Sequence, residues 1–143
     1  MKSLRIPLLF AALGLISAAA LAQAPPIAPM EIAGATTVNY EGLIDLIEKT
    51  PGLVVVDSRL LADYRKGHIG KAINIVNDEM TEAVLASHVA TKQKPVLFYC
   101  QGLTCGRSAA AVKIAVGWGY TKVYYYPLGV DEWSKQGMPL VRK

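Results

Sequence analysis

Two cysteines in one short segment, Cys100 and Cys105, carry the side chains best suited to covalent chemistry in this sequence. The residues around them are mostly glycines and small or polar residues with one cation, namely Gln101, Gly102, Leu103, Thr104, Gly106, Arg107 and Ser108. Glycines permit a tight backbone curl that aims amide groups inward. A following helix and the arginine add positive potential, which stabilises a thiolate or an oxyanion. Such surroundings lower a cysteine pKa from about 8.5 to between about 3.5 and 7.5. The segment therefore predicts a nucleophilic thiolate that needs no histidine base.

Histidine and metal chemistry are poorly supported by comparison. His68 and His88 are the only histidines, and neither has the spacing of a catalytic triad or a zinc site. We therefore predict no metal and no cofactor. The formal net charge of +4 includes Lys2 and Arg5 near the N-terminus, so the rest of the chain is weakly basic and predicts no nucleic-acid binding.

The cysteine segment lies between a predicted strand and a predicted helix. The apolar run from Val96 to Tyr99 is a strand that delivers Cys100 at its carboxyl end, and residues 107–116 form an Ala-rich helix. A second β-branched run, residues 53–56, is typical of a buried parallel strand and ends in Asp57-Ser58-Arg59. Parallel strands end at one edge of a sheet, where ligands bind, so Asp57 and Arg59 are expected near the cysteine loop.

The other predicted elements alternate in type along the chain. We predict helices over residues 39–50, 60–66 and 78–89, and strands over residues 72–75 and 123–126. Strands separated by helices favour a parallel sheet, because parallel neighbours need crossover connections. The expected fold class is α/β, a three-layer fold with a parallel sheet of about five strands and helices on both faces.

The N-terminus predicts export. Basic residues precede an apolar run from Ile6 to Ala20, and Ala20-Leu21-Ala22 has the small residues of a cleavage site, so residues 1–22 read as a secretory signal peptide cleaved after Ala22. Residues 23–37 are predicted to be a linker and domain lead-in, and residues 38–143 a single domain. We expect a periplasmic or secreted protein with no membrane association after cleavage, in a compartment where cysteines can be oxidised.

The order strand, cysteine, glycine-containing loop, arginine, serine, helix resembles the active-site loop of rhodanese-like domains. Three further segments are similar to that family, and they are residues 54–59, residues 64–75 with Gly67-His68-Ile69, and Gly129 to Trp133 followed by Gly137 and Pro139. The resemblance implies a sulfurtransferase in which Cys100 accepts sulfur from a small sulfur-containing donor as a persulfide. Loop amides would hold the persulfide, which passes sulfur to a thiol or cyanide acceptor.

Two departures from the family pattern keep other functions open. Six residues separate Cys100 from Arg107, more than in the usual sulfurtransferase loop, so the loop also fits an oxyanion enzyme acting on arsenate or phosphate. Cys105 is the second departure. It is either the partner of a permanent disulfide or a resolving thiol that closes a disulfide with Cys100, which implies a thiol redox protein as partner. A non-catalytic binding module is the remaining alternative.

Several other residues have simpler explanations. Asp57 and Arg59 are interpreted as support for the site, and Ser108 as a helix-start residue as well as a member of the anion-binding loop. His68 is predicted to be packed and hydrogen-bonded. The aromatic residues near the C-terminus are predicted to serve packing, namely Trp118, Tyr124, Tyr125, Tyr126 and Trp133.

Overall fold

The structure is a computed structural model that describes residues 27–142. The predicted signal peptide, residues 1–22, lies outside the described residues. Across residues 27–142, no helix is both long and apolar enough to cross a membrane.

A five-stranded parallel sheet forms the centre of the fold. Its strands are β1 (Thr36–Thr37), β2 (Val54–Asp57), β3 (Ile73–Asn74), β4 (Val96–Tyr99) and β5 (Val123–Tyr126). Their order across the sheet is β1-β5-β4-β2-β3, and every neighbouring pair is parallel. The strand before the cysteine segment, β4, thus occupies the middle of the sheet. The α/β fold class is confirmed.

Helices cover both faces of this sheet. They are α1 (Tyr40–Lys49), α2 (Leu61–Lys66), α3 (Glu82–His88), α4 (Arg107–Gly117) and α5 (Gly129–Lys135), with a 3₁₀ turn at Asn77–Glu79. One hydrophobic cluster packs Phe98 against the α4 residue Val112, and the other packs Leu97 with Trp133 of α5. Because Leu97 and Phe98 are successive strand residues, the two clusters lie on opposite faces of β4.

Local signals in the sequence fix the first helix. The side chain of Asn39 accepts a hydrogen bond of 3.0 Å from the amide of Gly42, which satisfies one of the free donors at the start of α1. The helix ends at Lys49, immediately before Thr50-Pro51-Gly52. Proline cannot continue the hydrogen-bond ladder, so this end was predictable.

The helix predicted over residues 78–89 is wrong in its first part. The chain forms the 3₁₀ turn, then extends at Met80, and α3 starts afresh after Thr81. The hydroxyl of Thr81 accepts a hydrogen bond of 3.2 Å from the amide of Val84 and so caps the new helix. Met80 is buried, so the apolar side chain at this break lies in the core.

Part of the predicted linker and lead-in, residues 27–30, packs against the domain. The amide of Ala28 donates a hydrogen bond of 2.6 Å to the carbonyl of Leu103, within the cysteine segment. The carbonyl of Pro29 accepts one of 3.0 Å from the hydroxyl of Tyr125. Ala28 is buried. We call residues 27–30 the N-terminal strap, because these two hydrogen bonds join them to the cysteine loop and to β5.

Candidate active site

The cysteine loop, residues 100–106, joins the central strand to α4. Every residue of β4 is fully buried, and Cys100 at its end is 0% exposed. The flanking strands β2 and β5 pair with β4 along its whole length, with Asp57 and Tyr126 opposite Tyr99. The base of the loop is therefore fixed by three paired strands.

A disulfide joins the two ends of this loop. Cys100 is bonded to Cys105, and their Cα atoms are 6.2 Å apart, within the usual range for a disulfide. The residues between them form a compact turn, in which the amide of Cys105 donates a 3.0 Å hydrogen bond to the carbonyl of Gly102. The structure therefore represents the oxidised form of the site.

The first four carbonyl groups of the loop all accept hydrogen bonds. Their donors lie outside the loop or within the turn that the loop forms. The carbonyls of Cys100 and Gln101 accept from the amides of Val130 and Asp131, over 3.1 and 2.8 Å. The carbonyl of Gly102 accepts from Cys105, and that of Leu103 from the N-terminal strap. Four successive acceptors are thus occupied by protein donors.

The amide groups of the loop are available by contrast. Within residues 27–142, the amides of six loop residues donate to no protein acceptor, namely Cys100, Gln101, Gly102, Leu103, Thr104 and Gly106. In the same part of the chain no side chain caps α4, whose N-cap is Gly106. Free backbone amides together with a helix N-terminus create a positive potential suited to an anion or a thiolate.

Arg107 adds a full positive charge at the start of α4. Its side chain is partly exposed, and it forms no hydrogen bond or ion pair with the described residues. Its field still reaches α2, since the pKa of Asp63 is lowered mainly by Lys66 and in smaller part by Arg59 and Arg107. The guanidinium of Arg107 is thus free to pair with an anionic substrate.

Helix α5 and the cysteine loop are in close contact at two glycines, one in the helix and one in the loop. Gly129 has φ of +54°, and a side chain there would press on the carbonyl of Cys100. Gly102 has the matching role in the loop, because a Cβ atom there would collide with the carboxylate of Asp131. The backbones of the loop and of α5 can approach this closely because position 129 is glycine, while Gly102 leaves room for the Asp131 side chain.

Asp57 and Arg59 form a buried ion pair at the carboxyl end of β2. Arg59 is 6% exposed, and its Nη2 atom lies 2.7 Å from Oδ2 of Asp57 and 2.7 Å from the carbonyl of Gly67. Burial alone would lower the pKa of Arg59, but the hydrogen bond and charge of Asp57 outweigh it, so the pKa is raised. Each charged group is therefore stabilised by the other, and Arg59 is directed into the protein.

Gln101 connects this ion pair to the cysteine loop. Its Oε1 atom accepts a hydrogen bond of 3.1 Å from Nη1 of Arg59, and its Nε2 atom donates one of 2.6 Å to Oδ1 of Asp131. The residue next to Cys100 is thereby tied to β2 on one side and to α5 on the other. Nothing in the sequence indicated this bridging role, since Gln101 was predicted only as a member of the anion- and substrate-binding loop.

Tyr99 adds a further hydrogen bond beneath the site. Its hydroxyl donates to Oδ2 of Asp57 over 2.8 Å and accepts from the amide of Ile69 over 3.1 Å. Burial, and then the charge and hydrogen bond of Asp57, raise the pKa of Tyr99 well above its usual value. The phenol therefore stays neutral and serves as a donor that fixes Asp57. Sequence reasoning treated Tyr99 as a strand residue and missed this role.

Two of the remaining predicted site residues differ in their surroundings. Thr104 is exposed at the tip of the loop. Ser108 is 1% exposed on the first turn of α4. Burial raises the pKa of Tyr125, and a hydrogen bond to Ser108 opposes the rise. The side chain of Ser108 therefore interacts with Tyr125 of β5.

Neither histidine belongs to the cysteine loop. His68 is buried, its ring stacks on Tyr64 at 3.9 Å between ring centroids, and its Nδ1 atom lies 3.1 Å from the carbonyl of Tyr64. His88 is exposed at the end of α3. In the described part of the chain, no group of three or more acidic, histidine or cysteine side chains is arranged to hold a metal ion.

A cavity of about 390 Å³ borders the loop on the side of α5. It is lined by Gly102, Leu103 and Thr104 from the loop and by Asp131, Glu132 and Lys135 among others from the helix region. A larger cavity of about 730 Å³ includes no residue of the loop. We place the candidate site at the smaller cavity, because its lining includes three residues between the two cysteines whose amides are free.

The sheet order, the cysteine at the end of the central strand and the loop leading into α4 define a rhodanese-like domain. The profile of that family matches residues 39–136, so the chain belongs to the rhodanese-like domain family.

Individual relatives agree with this assignment. The uncharacterized protein YibN of Escherichia coli strain K12 is 36% identical over 90 residues, which are 62% of this chain and 61% of YibN. The chain thus spans about three fifths of the length of this relative.

Solved structures show the same fold. The rhodanese-related protein of Thermoplasma volcanium has a TM-score of 0.60 at 26% identity, covering 76% of this chain and 99% of that one. A thiosulfate sulfurtransferase of Pseudomonas aeruginosa has a TM-score of 0.64 at 21% identity, covering 76% of this chain and 20% of that one. At that identity the second likeness concerns the fold alone.

Proposed function

We propose that this protein is an exported sulfurtransferase that carries sulfane sulfur as a persulfide on Cys100. The observation that carries the proposal is the orientation of the loop backbone, in which the carbonyls of residues 100–103 are occupied while six amides are free. A persulfide anion at the base of this loop needs hydrogen-bond donors and positive charge, which the amides and Arg107 supply. Family membership supports the same chemistry.

The first half-reaction needs the reduced loop. The thiolate of Cys100 attacks the outer sulfur of a donor such as thiosulfate. A new S–S bond forms on Cys100 and sulfite leaves with the electron pair of the broken S–S bond. In the second half-reaction cyanide or a thiol takes the outer sulfur and returns the Cys100 thiolate. Arg107 pairs with the anionic donor, since no described residue occupies it.

Mass spectrometry tests this proposal directly. The protein is reduced, freed of reductant and incubated with thiosulfate, and we expect a gain of one sulfur atom, about 32 Da. Cys100→Ser should abolish the gain, whereas the matched variant Cys105→Ser should keep it and hold the persulfide longer. Absence of the adduct with thiosulfate, polysulfide and a persulfide donor alike, or its persistence in Cys100→Ser, would contradict the proposal.

Export is part of the proposal and has its own test. A periplasmic or secreted location is supported by the N-terminal pattern of residues 1–22 and is compatible with the disulfide. The chain of residues 1–143 is expressed in a bacterial host. The mass of the protein recovered from the periplasmic fraction is then measured by mass spectrometry. We expect a chain that begins at Gln23. An intact N-terminus in the cytoplasmic fraction would refute export.

A second candidate function is favoured by the Cys100–Cys105 disulfide. In this function the protein reduces sulfane sulfur instead of passing it on. The thiolate of Cys105 attacks the inner sulfur of the Cys100 persulfide, a disulfide forms, and hydrosulfide leaves with the electron pair. A thiol redox partner then restores both thiols. Stoichiometric release of sulfide from the loaded wild-type protein, absent in Cys105→Ser, distinguishes this function from sulfur transfer.

A further inference from the structure

The two sulfur atoms of the disulfide differ in access. Cys100 is 0% exposed and ends a buried strand, whereas Cys105 is partly exposed and lies between the exposed residues Thr104 and Gly106. A thiolate approaches a disulfide in line with the bond, from the side of the attacked sulfur away from the departing one, so access decides which sulfur is attacked. Attack on Cys100 would require entry through the buried end of β4, but attack on Cys105 starts from the loop surface.

The surroundings of the departing sulfur favour the same direction. A thiolate released from Cys100 remains at the base of a loop whose amides are free and whose carbonyls are occupied. A leaving thiolate that is stabilised by its surroundings departs faster. Arg107, which no described residue pairs, adds charge of the right sign. Access and leaving-group stability therefore act together.

We propose that an incoming thiol opens this disulfide at Cys105, with Cys100 as the leaving group. The incoming thiolate forms a new S–S bond with Sγ of Cys105, the bond between the two cysteines breaks, and its electron pair departs on Cys100 as a thiolate. A second thiol then attacks the mixed disulfide, releasing the oxidised dithiol and the Cys105 thiolate. The electrons for this two-electron reduction come from the two thiols.

Opening the disulfide at Cys105 determines the order in which the two cysteines can react. Cys100 becomes free first, while Cys105 is still blocked by the reductant. Sulfur loaded on Cys100 at that stage is protected from the resolving attack by Cys105. The inference rests on the disulfide of the second candidate function, and it does not depend on whether Cys100 accepts sulfane sulfur at all.

The test traps the mixed disulfide of the oxidised wild-type protein. Reduced glutathione is mixed with the oxidised protein, and after short intervals an excess of N-ethylmaleimide is added, which alkylates whichever cysteine has been released and consumes the remaining glutathione. Tandem mass spectrometry then locates the glutathione and the maleimide on the peptide that holds both cysteines. We expect glutathione on Cys105 and maleimide on Cys100 in at least about tenfold excess over the reverse arrangement, because access and leaving-group stability favour the same sulfur.

Single-cysteine variants give a second readout. With oxidised glutathione, Cys105 in Cys100→Ser should form the mixed disulfide at least about tenfold faster than Cys100 does in Cys105→Ser once thiolate fractions are matched by pH. Circular dichroism confirms that both variants are folded. Glutathione found on Cys100, or in equal amounts on the two residues, overturns the inference. Sulfur loading of reduced Cys105→Ser is measured in parallel, so failure of the sulfurtransferase proposal is recognised separately.

Discussion

Nη1 of Arg59 donates a hydrogen bond of 3.1 Å to Oε1 of Gln101, which links a buried ion pair to the residue that follows Cys100. The pair is thus more than a support for the end of β2. Gln101 also donates to Asp131, so one side chain connects β2, the cysteine loop and α5. The position of Cys100 therefore depends on an interaction between segments 42 residues apart in sequence.

Removing Arg59 should destabilise the protein severely. Arg59→Met leaves Asp57 buried at 0% exposure with its charge uncompensated, and we expect a loss of about 3–5 kcal/mol in the free energy of unfolding. The matched control is Lys49→Met, because Lys49 pairs with Asp45 on the exposed surface of α1. That variant should unfold at the wild-type urea concentration. Equal midpoints for the two variants would show that the buried pair does not hold the fold.

Alkaline pH should destabilise the fold through Tyr99. An unfolded tyrosine loses its proton near pH 10, but burial and Asp57 raise the pKa of Tyr99 in the folded chain. Above about pH 10 the folded state therefore binds more protons than the unfolded state, and stability falls as pH rises. Below that pH the contribution is complete. One such group costs about 1.4 kcal/mol per pH unit.

Tyr99→Phe tests this dependence. The variant should lose about 1–3 kcal/mol at neutral pH, because Asp57 and the amide of Ile69 each lose a partner. Its free energy of unfolding should fall less steeply than that of the wild type between pH 10 and 12. Tyr126, whose pKa is raised by burial and by Glu132, and Tyr125, whose pKa is raised by burial, contribute to the slope that remains. An unchanged slope in Tyr99→Phe would contradict the prediction.

The sequence predicted those parts of the site that depend on local pattern. The run before Cys100 is apolar throughout, which indicates a buried strand, and the glycines and Arg107 mark the loop and the helix start. Asp57 and Arg59 were expected near the loop because parallel strands end at one edge of a sheet. These expectations need only strand and helix periodicity.

Other parts depend on contacts that periodicity does not encode. Gln101 gains its role from Arg59 and Asp131, which are distant in sequence. Ala28 lies in a proline-rich stretch that reads as a linker, and only its hydrogen bond to Leu103 shows that it packs on the loop. The helix α5 is 7 residues long and begins at a glycine of positive φ, so its start carried no recognisable cap. Tertiary contacts decide all three features.

Gly129 should tolerate no side chain. Gly129→Ala forces an alanine into a positive φ and against the carbonyl of Cys100, so we expect a loss of about 2–4 kcal/mol in the free energy of unfolding. The matched control is Gly117→Ala at the end of α4, where a Cβ atom meets nothing within 4 Å. That change should be neutral or slightly stabilising. Denaturation in urea compares the two, and equal stabilities would contradict the close approach.

The N-terminal strap should restrain the cysteine loop. A chain that begins at Glu31 lacks the hydrogen bond from Ala28 to Leu103 and the acceptor for the hydroxyl of Tyr125. One net hydrogen bond is worth about 1 kcal/mol, so the Cys105 amide, which is hydrogen-bonded to the carbonyl of Gly102, should exchange with deuterium roughly fivefold faster. Mass spectrometry of the loop peptide measures this rate. A chain that begins at Ile27 keeps the strap and should exchange like one that begins at Gln23. Exchange in β4 serves as the control for global stability. If removal of the strap leaves exchange unchanged both in the loop and in β4, the strap does not hold the loop.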